Sequence, residues 1–387
     1  MEKISIIIYN AIMAYGTLGI ALGVAIIVLF IAQIALHIGL YGRIATFRLT
    51  SRSKVRETEP SVSVVVPIFS DDTEFLDSGL VHLLRQDYKD FEVGAVYVGN
   101  NEDFFADLKG LQRLYAHLSP VHIDYSPRYP VSTKIALNVG IKSAKHDFVV
   151  ITTTDTTPSS ERWLSLMAKG FLYGDIVLGY CGVAPMKGFS NFLFREYRLA
   201  DSLAWISSAI RRKPYSASRC ALGFTRELYF SVRGFGHLNM NVGEDDLFLQ
   251  QIATSENVSV VLSPRATCIE RMWGGWRWWF RRTHELRSTH RHYPKGVRLP
   301  MFSELVLRVL FFASVISAIV TMPWEFFLMA IILMVLRYLV VLFVFVRNAR
   351  RLNEDGLVAR HFLFDLFEPI LRLLVIISTG RSGKKLK

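Results

Sequence analysis

Only three cysteines occur in the 387 residues, Cys181, Cys220 and Cys268. Their number is odd, their spacing is wide, and no Cys-x-x-Cys or Cys/His ligand pattern is present. That excludes a disulfide scaffold and reads as three reduced core thiols in a cytoplasmic setting. Gly-rich phosphate loops are missing too. Neither G-x-G-x-x-G nor G-x-x-x-x-G-K-[ST] occurs, which argues against a Rossmann dehydrogenase and a P-loop NTPase. Charge is sparse: Asp, Glu, Lys and Arg make up 20%, less than a purely soluble protein of this size usually carries. No internal repeat or low-complexity segment is found, so collagenous and repetitive classes are excluded.

What is present is apolar and basic. Apolar residues make up 51% and the formal net charge is +12. A disordered or nucleic-acid-coating chain would be far less apolar. A membrane surface is the first partner to consider, and nucleic acid is not expected, because the basic patches flank apolar runs. Residues 4–42 contain no charged side chain. That exceeds the roughly 20 residues needed to cross a bilayer, and it exceeds a signal-peptide core. An uncleaved transmembrane helix over Ala11–His37 is expected.

Leu305–Thr321 and Phe326–Val346 are apolar apart from Arg308 and Arg337, with Met322–Glu325 as a tight connection, so they read as a hairpin. His361–Ser378 carries Asp365, Glu368, Pro369 and Arg372 and reads as interfacial. Basic residues cluster at Arg43–Arg56, Arg287–Arg298 and Arg347–Arg351, all on one side. The expectation is a multi-pass protein of the cytoplasmic (inner) membrane, with its central domain in the cytoplasm. Arg337, in mid-hairpin, needs a partner: Asp365, Glu368 or a lipid-linked pyrophosphate.

The central segment alternates. Val62–Ile68, Phe91–Val98, Val121–Tyr125 and Phe148–Thr152 have the apolar or β-branched character of strands. Leu76–Gln86, Ala106–His117 and Thr133–Ala144 have helical character. The pattern predicts an α/β fold with a parallel sheet covered by helices on both faces. Ligands then belong at the carboxyl ends of the strands, in the loops after Pro67, Val98 and Thr152.

Five stretches carry a resemblance: Ser61–Ile68, Leu83–Val93, Thr133-Lys-Ile-Ala-Leu-Asn-Val-Gly-Ile141, Thr153-Thr-Asp-Thr-Thr-Pro158 and Gly243-Glu-Asp-Asp-Leu-Phe248. In this order and spacing they resemble a membrane-bound family-2 glycosyltransferase, over about residues 61–293 plus the membrane layout. The resemblance implies a GT-A, Rossmann-type nucleotide-sugar domain and inverting transfer of a hexosyl-type sugar. The acceptor would be a membrane lipid, a lipid-linked glycan or a growing polysaccharide.

It also implies the site. Asp155, at the end of a strand, is the ligand for Mg²⁺ or Mn²⁺, which favour hard oxygen donors. Asp245 is the general base, with Glu244 and Asp246 raising its pKa by like-charge repulsion. Pro67 and Lys134 belong to the donor site. The Trp273–Arg287 segment corresponds to a helix closing over the substrates, with Trp278, Trp279, Arg281 and Arg282 placed to stack on sugar or meet diphosphate. Pure anchoring at the headgroup level is the competing reading of this segment. Phe189–Lys213 reads as an amphipathic helix, either beside the acceptor or in the core.

Three positions differ from the family pattern. The second strand ends in Val96-Tyr-Val-Gly-Asn-Asn101 with no acid, Thr153 replaces the first acid of the metal motif, and Arg282 and Glu285 stand where Gln and Arg are usual. These support a second reading: a catalytically degenerate member acting as a membrane partner in a polysaccharide assembly complex. The organisation expected is residues 1–42 as a transmembrane segment, 43–60 as a basic linker and 61–271 as the cytoplasmic transferase domain. Residues 272–300 form a Trp/Arg-rich interfacial segment, 301–350 a transmembrane hairpin and 351–387 an interfacial segment with a basic tail.

Overall fold

The computed structural model describes residues 2–237, 242–272, 274–354 and 356–382. Trp273 and the basic tail from Gly383 onward lie outside the described residues. Ten strands are present among them: β1 (Val62–Ile68), β2 (Phe91–Val98), β3 (Leu118–Ile123), β4 (Phe148–Ile151), β5 (Thr156–Pro158), β6 (Ile176–Leu178), β7 (Cys181–Val183), β8 (Leu222–Thr225), β9 (Val258–Val260) and β10 (Cys268–Glu270). Seven form one sheet in the order β3-β2-β1-β4-β8-β6-β9, and β5-β10-β7 form a second, smaller one.

The expected β1 and β2 coincide with the observed strands, and β4 ends one residue early. β3 begins three residues before the expected start. The four strands β3-β2-β1-β4 are mutually parallel, as the alternation predicts. The remainder corrects that expectation. β8 runs antiparallel to both β4 and β6, so the sheet is mixed.

β1 is buried throughout because the sheet is covered on both faces. Its side chains alternate between two cores. Val65 joins Val96, Ile141 and Phe224, while Val64 and Val66 join Leu83, Phe104 and Trp163. Pro67 is tolerated because β1 overruns β4. The β1–β4 register ends at Val65 and Ile151, so Pro67 needs no ladder partner on that side. The overrun leaves Pro67 at the sheet's carboxyl edge.

Helix α1 (Glu2–Leu36) carries Gly16 at φ 71, a kink that divides it. Helix α2 (Glu102–Leu114) starts earlier than the expected Ala106, because the Asn101 side chain accepts from Phe104 N (3.1 Å) and Glu102 and Asp103 follow in the first turn. Helix α3 (Thr133–Ser143) is capped by Ser132 and packs Gly140 tightly on β1 and β2. A Cβ there would meet Val65 and Val96 inside van der Waals distance. We expect Gly140→Val to destabilise the domain by about 1–3 kcal/mol through overpacking, read as a lower unfolding temperature.

Helix α4 (Phe189–Ile210) buries Phe192, Leu193, Leu199, Leu203 and Trp205. A short helix α5 (Leu247–Ile252) and helix α6 (Trp276–Ser288) follow. Helices α7 (Lys295–Thr321) and α8 (Trp324–Arg351) form the expected hairpin, with Pro323 at its turn. Three stretches among the described residues are long and apolar enough to cross a membrane: Gly16–Tyr41, Lys295–Thr321 and Trp324–Arg351.

Helix α9 (His361–Ser382) corresponds to the charged segment read as interfacial. Asp365 and Glu368 do not face water, being 5% and 1% exposed. They turn onto the hairpin, where Asp365 grips Arg337 through both guanidinium NH₂ nitrogens and Glu368 accepts from Arg308 at 3.1 Å.

Candidate functional site

Two clefts adjoin at the carboxyl edge of the large sheet. The first, of about 340 Å³, is lined by Pro67, Asp72, Thr133, Thr153, Thr154, Asp155 and Arg219. It occupies the loops after β1 and β4, where the strand pattern places ligands. Asp155 is oriented from two sides. The Thr153 hydroxyl donates to its carboxylate, and its main-chain oxygen accepts from Arg271 N at 2.7 Å. Thr153, one of the departures from the family pattern, therefore acts as the hydrogen-bond donor that aims Asp155.

The second cleft, of about 50 Å³, is lined by Gly243, Glu244, Asp245, Asp246, Trp205, Arg282, Glu285 and His290. Gly243 makes the turn possible: its φ of 110° is a region that side-chain-bearing residues rarely adopt. The three acids then diverge. Asp246 caps α5 and accepts from Leu247 N (2.6 Å), the Tyr293 hydroxyl (2.7 Å) and the Thr289 hydroxyl. Its oxygens are thus occupied, and it fastens the turn to the segment after α6. Glu244 is buried with one carboxylate oxygen lacking a hydrogen-bond partner.

All three acids line the cleft, but Asp245 alone of them is half-buried and not fully enclosed. Burial pushes its carboxyl well above the usual range, and the charges of Asp246 and Glu244 push the same way. The like-charge effect expected from the sequence is present, with burial the larger cause. Burial also depresses the His290 imidazole to about 4, with Arg287 adding to it, so the ring facing the same cleft is neutral near pH 7.

Arg219 lines both clefts and connects them. Burial opposes its charge, yet Glu270, Cys220, Asp155 and Glu244 together hold the guanidinium above its ordinary value. Its guanidinium thus lies in the field of three carboxylates at the junction of the two clefts. Sequence reading missed it: Ser218-Arg219-Cys220 matches no motif, and only the fold carries it between Asp155 and Glu244. Because it is a cation shared by both clefts, Arg219→Gln is expected to weaken binding of a test anion such as pyrophosphate about ten- to hundredfold, the loss appropriate to charge-assisted hydrogen bonds, measured by calorimetry.

The other expected residues separate. Lys134, at the start of α3, is half-buried close to Glu244; burial lowers its pKa and the Glu244 charge raises it. Arg282 reaches the Asp245 cleft but is held by Glu270 at 3.1 Å and Glu285 at 3.4 Å. Arg281 is exposed, and Trp279, 1% exposed, is packed edge-on against Tyr197 and Trp276; neither lines these clefts.

The three cysteines are free and buried, and far apart only in sequence. Cys181 and Cys220 converge with Glu270 so that their ligand atoms lie within 4.8 Å of one another. The carboxylate of Glu270 is already bound by Arg198 and Arg282, which disfavours a cation there.

No family model matches the chain. A comparison with curated proteins finds no match either. Among solved structures, the chain is similar to a mannosyltransferase from Pyrobaculum calidifontis in complex with GDP-mannose and Mn²⁺, with a TM-score of 0.52 and 17% identity over 90% of this chain and 99% of that one. S. aureus TarS 1–349 in complex with UDP-GlcNAc gives a TM-score of 0.40 and 15% identity over 66% of this chain and 73% of that one. At this identity the mannosyltransferase likeness is one of fold: a mixed α/β domain with a parallel-rich sheet, in a chain carrying three long apolar helices.

Proposed function

We propose that this chain is a membrane-held glycosyltransferase of the family-2, GT-A type, moving a hexosyl group from a nucleotide-sugar donor to a membrane-associated acceptor with inversion. The observation that carries the proposal is Asp245: a half-buried, proton-avid carboxylate facing a cleft that Arg219 joins to the Asp155 cleft. The fold shared with a mannosyltransferase supports it. The nucleotide-sugar and Mn²⁺ are properties of that relative, brought to this chain as part of the proposal.

In this reading the donor diphosphate lies in the Asp155 cleft and the acceptor hydroxyl in the Asp245 cleft. The acceptor oxygen bonds to the anomeric carbon as its proton passes to the Asp245 carboxylate. The bond from that carbon to the phosphate oxygen breaks, and the nucleoside diphosphate leaves with the electron pair. Arg219 and Lys134 stabilise the charge on the leaving group. Glu244 keeps the Asp245 carboxylate basic, and Asp246 positions it.

The residues fit a hard divalent ion. Asp155 offers an oriented carboxylate, and a Mg²⁺ or Mn²⁺ site can be completed by phosphate oxygens and water. When bound, the ion neutralises the departing diphosphate. Thr153→Val removes the hydroxyl that aims Asp155, and the Mn²⁺ concentration for half-maximal rate is expected to rise about 10–100-fold.

The deciding assay uses the detergent-purified protein with Mn²⁺ or Mg²⁺ and a panel of nucleotide sugars. Release of nucleoside diphosphate that EDTA abolishes is expected. No release from any donor, together with no binding of nucleoside diphosphates, favours the degenerate partner in polysaccharide assembly.

A further inference from the structure

The three cysteines, scattered in the sequence, meet below the floor of the Asp155 cleft. Cys181 opens β7 and is in register with Cys268, the first residue of β10. Cys220 lies just before β8. The main chains that carry Cys181 and Cys220 are held side by side, because Gly179 N donates to Ala221 O at 2.8 Å. The Cys181 and Cys220 sulfur atoms lie within 4.8 Å of one another. Side-chain rotation on two backbones already bonded to each other can close that gap to the roughly 2.05 Å of a disulfide.

Both thiols are buried, yet one layer separates Cys220 from the cleft. Its sulfur is 3.6 Å from the Thr153 hydroxyl oxygen, and Thr153 and Arg219, the residue before Cys220, both line the cleft. The Thr153 hydroxyl gives its proton to Asp155, so in the 3.6 Å contact the Cys220 S–H is the donor. A line of donors therefore runs from Cys220 to Thr153 to Asp155.

We infer that Cys181 and Cys220 form a redox-sensitive pair, which peroxide oxidises to a disulfide that loosens Asp155 and weakens its hold on a divalent cation. The Cys220 sulfur attacks the peroxide O–O bond and keeps one oxygen as a sulfenic acid, while the other leaves as water. The Cys181 sulfur then attacks the Cys220 sulfur. The S–S bond forms, the S–O bond breaks and a second water leaves. The two thiols give up two electrons and two protons, and the peroxide becomes two waters. A hydrogen bond from Cys181 holds the Cys220 thiol below its ordinary value against burial, whereas burial pushes Cys181 and Cys268 well up. Cys220 is thus the attacking sulfur and Cys181 the resolving one. In the disulfide, Cys220 has no proton to donate and its sulfur is drawn away from Thr153, which slackens the hydroxyl that aims Asp155. In a reducing compartment such a bond is transient and thiols reverse it. The effect on the cation rests on the reading of Asp155 as its ligand; the disulfide rests on the cysteines alone.

The test uses the full chain in detergent, treated with hydrogen peroxide, freed of it, and then divided into portions with and without dithiothreitol. Free thiols are counted after denaturation, and binding of Mn²⁺ in the presence of pyrophosphate is followed by calorimetry. Free thiols should fall from three to one, and peptide mapping should find the bond between Cys181 and Cys220. Binding of Mn²⁺ should weaken about tenfold, as when a group that orients a metal ligand is lost, and should recover with dithiothreitol. Cys268→Ala should respond as the parent does. Cys220→Ser, which keeps a donor toward Thr153 and cannot form the bond, should bind Mn²⁺ as the untreated parent does and be insensitive to peroxide. Three thiols left free after peroxide, or a bond that includes Cys268, overturns the pair. A disulfide that leaves Mn²⁺ binding unchanged, or a reduced chain that binds no Mn²⁺, overturns its coupling to Asp155. Peroxide-sensitive Mn²⁺ binding without turnover of any nucleotide sugar upholds the switch and removes the transferase reading. Turnover that peroxide leaves untouched does the reverse.

Discussion

Asp245→Asn is expected to lower the rate of sugar transfer by about 10²–10⁴-fold while the KM for the donor stays near its original value, because a general base acts on the acceptor proton and not on the diphosphate. Two further readouts distinguish this from a merely structural defect. The first is pH. Burial and its two acidic neighbours raise the Asp245 carboxyl, so the wild-type rate should climb as pH passes upward through that raised pKa, and the variant's residual rate should lack this limb. The second is stability, and its sign runs opposite to activity. A carboxyl whose folded pKa lies above its unfolded value favours folding most when it is protonated, and that contribution is lost as pH rises through the folded pKa. At any pH above the unfolded-state pKa the buried Asp245 carboxyl is therefore a burden on the fold. The asparagine variant should unfold at a higher temperature than the parent there, with the difference vanishing in acid. A variant that is inactive and also less stable at neutral pH would count against the assignment.

The second large effect is expected at the buried charges joining the hairpin to α9. Arg308, Arg337 and Arg372 face Glu304, Asp365 and Glu368, three cations against three acids. Arg337 is 1% exposed; it donates to both oxygens of Asp365, and its Nε donates to Gln33 of the first helix. The cluster thus ties three separate membrane-proximal elements together. Asp365→Ala leaves the Arg337 guanidinium buried without its carboxylate, at a cost of about 3–5 kcal/mol. The measurement is thermal unfolding in detergent, where the single variant should fall well below the parent. The double variant Arg337→Leu, Asp365→Leu should recover most of the loss, since removing both charges removes the desolvation penalty with them. A single variant as stable as the parent would show that the cluster does not hold these helices.

Much of the fold was legible because it is local. The β-branched run Val62–Ile68 and the stretch Phe91–Val98 became strands at the expected residues. β8 escaped because Leu-Gly-Phe-Thr is four residues long and its antiparallel place between β4 and β6 is a pairing choice, not a local property. The acids of the candidate site were picked out through the family resemblance, but which of them is held by neighbours and which is left open was not legible. Asp246 and Asp245 are neighbours of one type, yet Thr289 and Tyr293 occupy the first and leave the second facing the cleft. The same holds on α6. Trp279 and Thr283 share the buried face, Arg282 and Leu286 line the cleft, and Arg281 is exposed.

By itself the sequence determined the period and polarity of each segment: where helices are long and apolar enough to cross a membrane, where strands alternate with helices, and where acids stand together. Those are set by nearest neighbours and by transfer from water, which act along the chain. Only the tertiary structure decided which charges meet. Arg337 reaches Gln33 across 304 residues, and Arg219 comes to lie between Asp155 and Glu244. A buried charge is governed by whatever the fold brings within a few ångströms of it, and no local spacing encodes that.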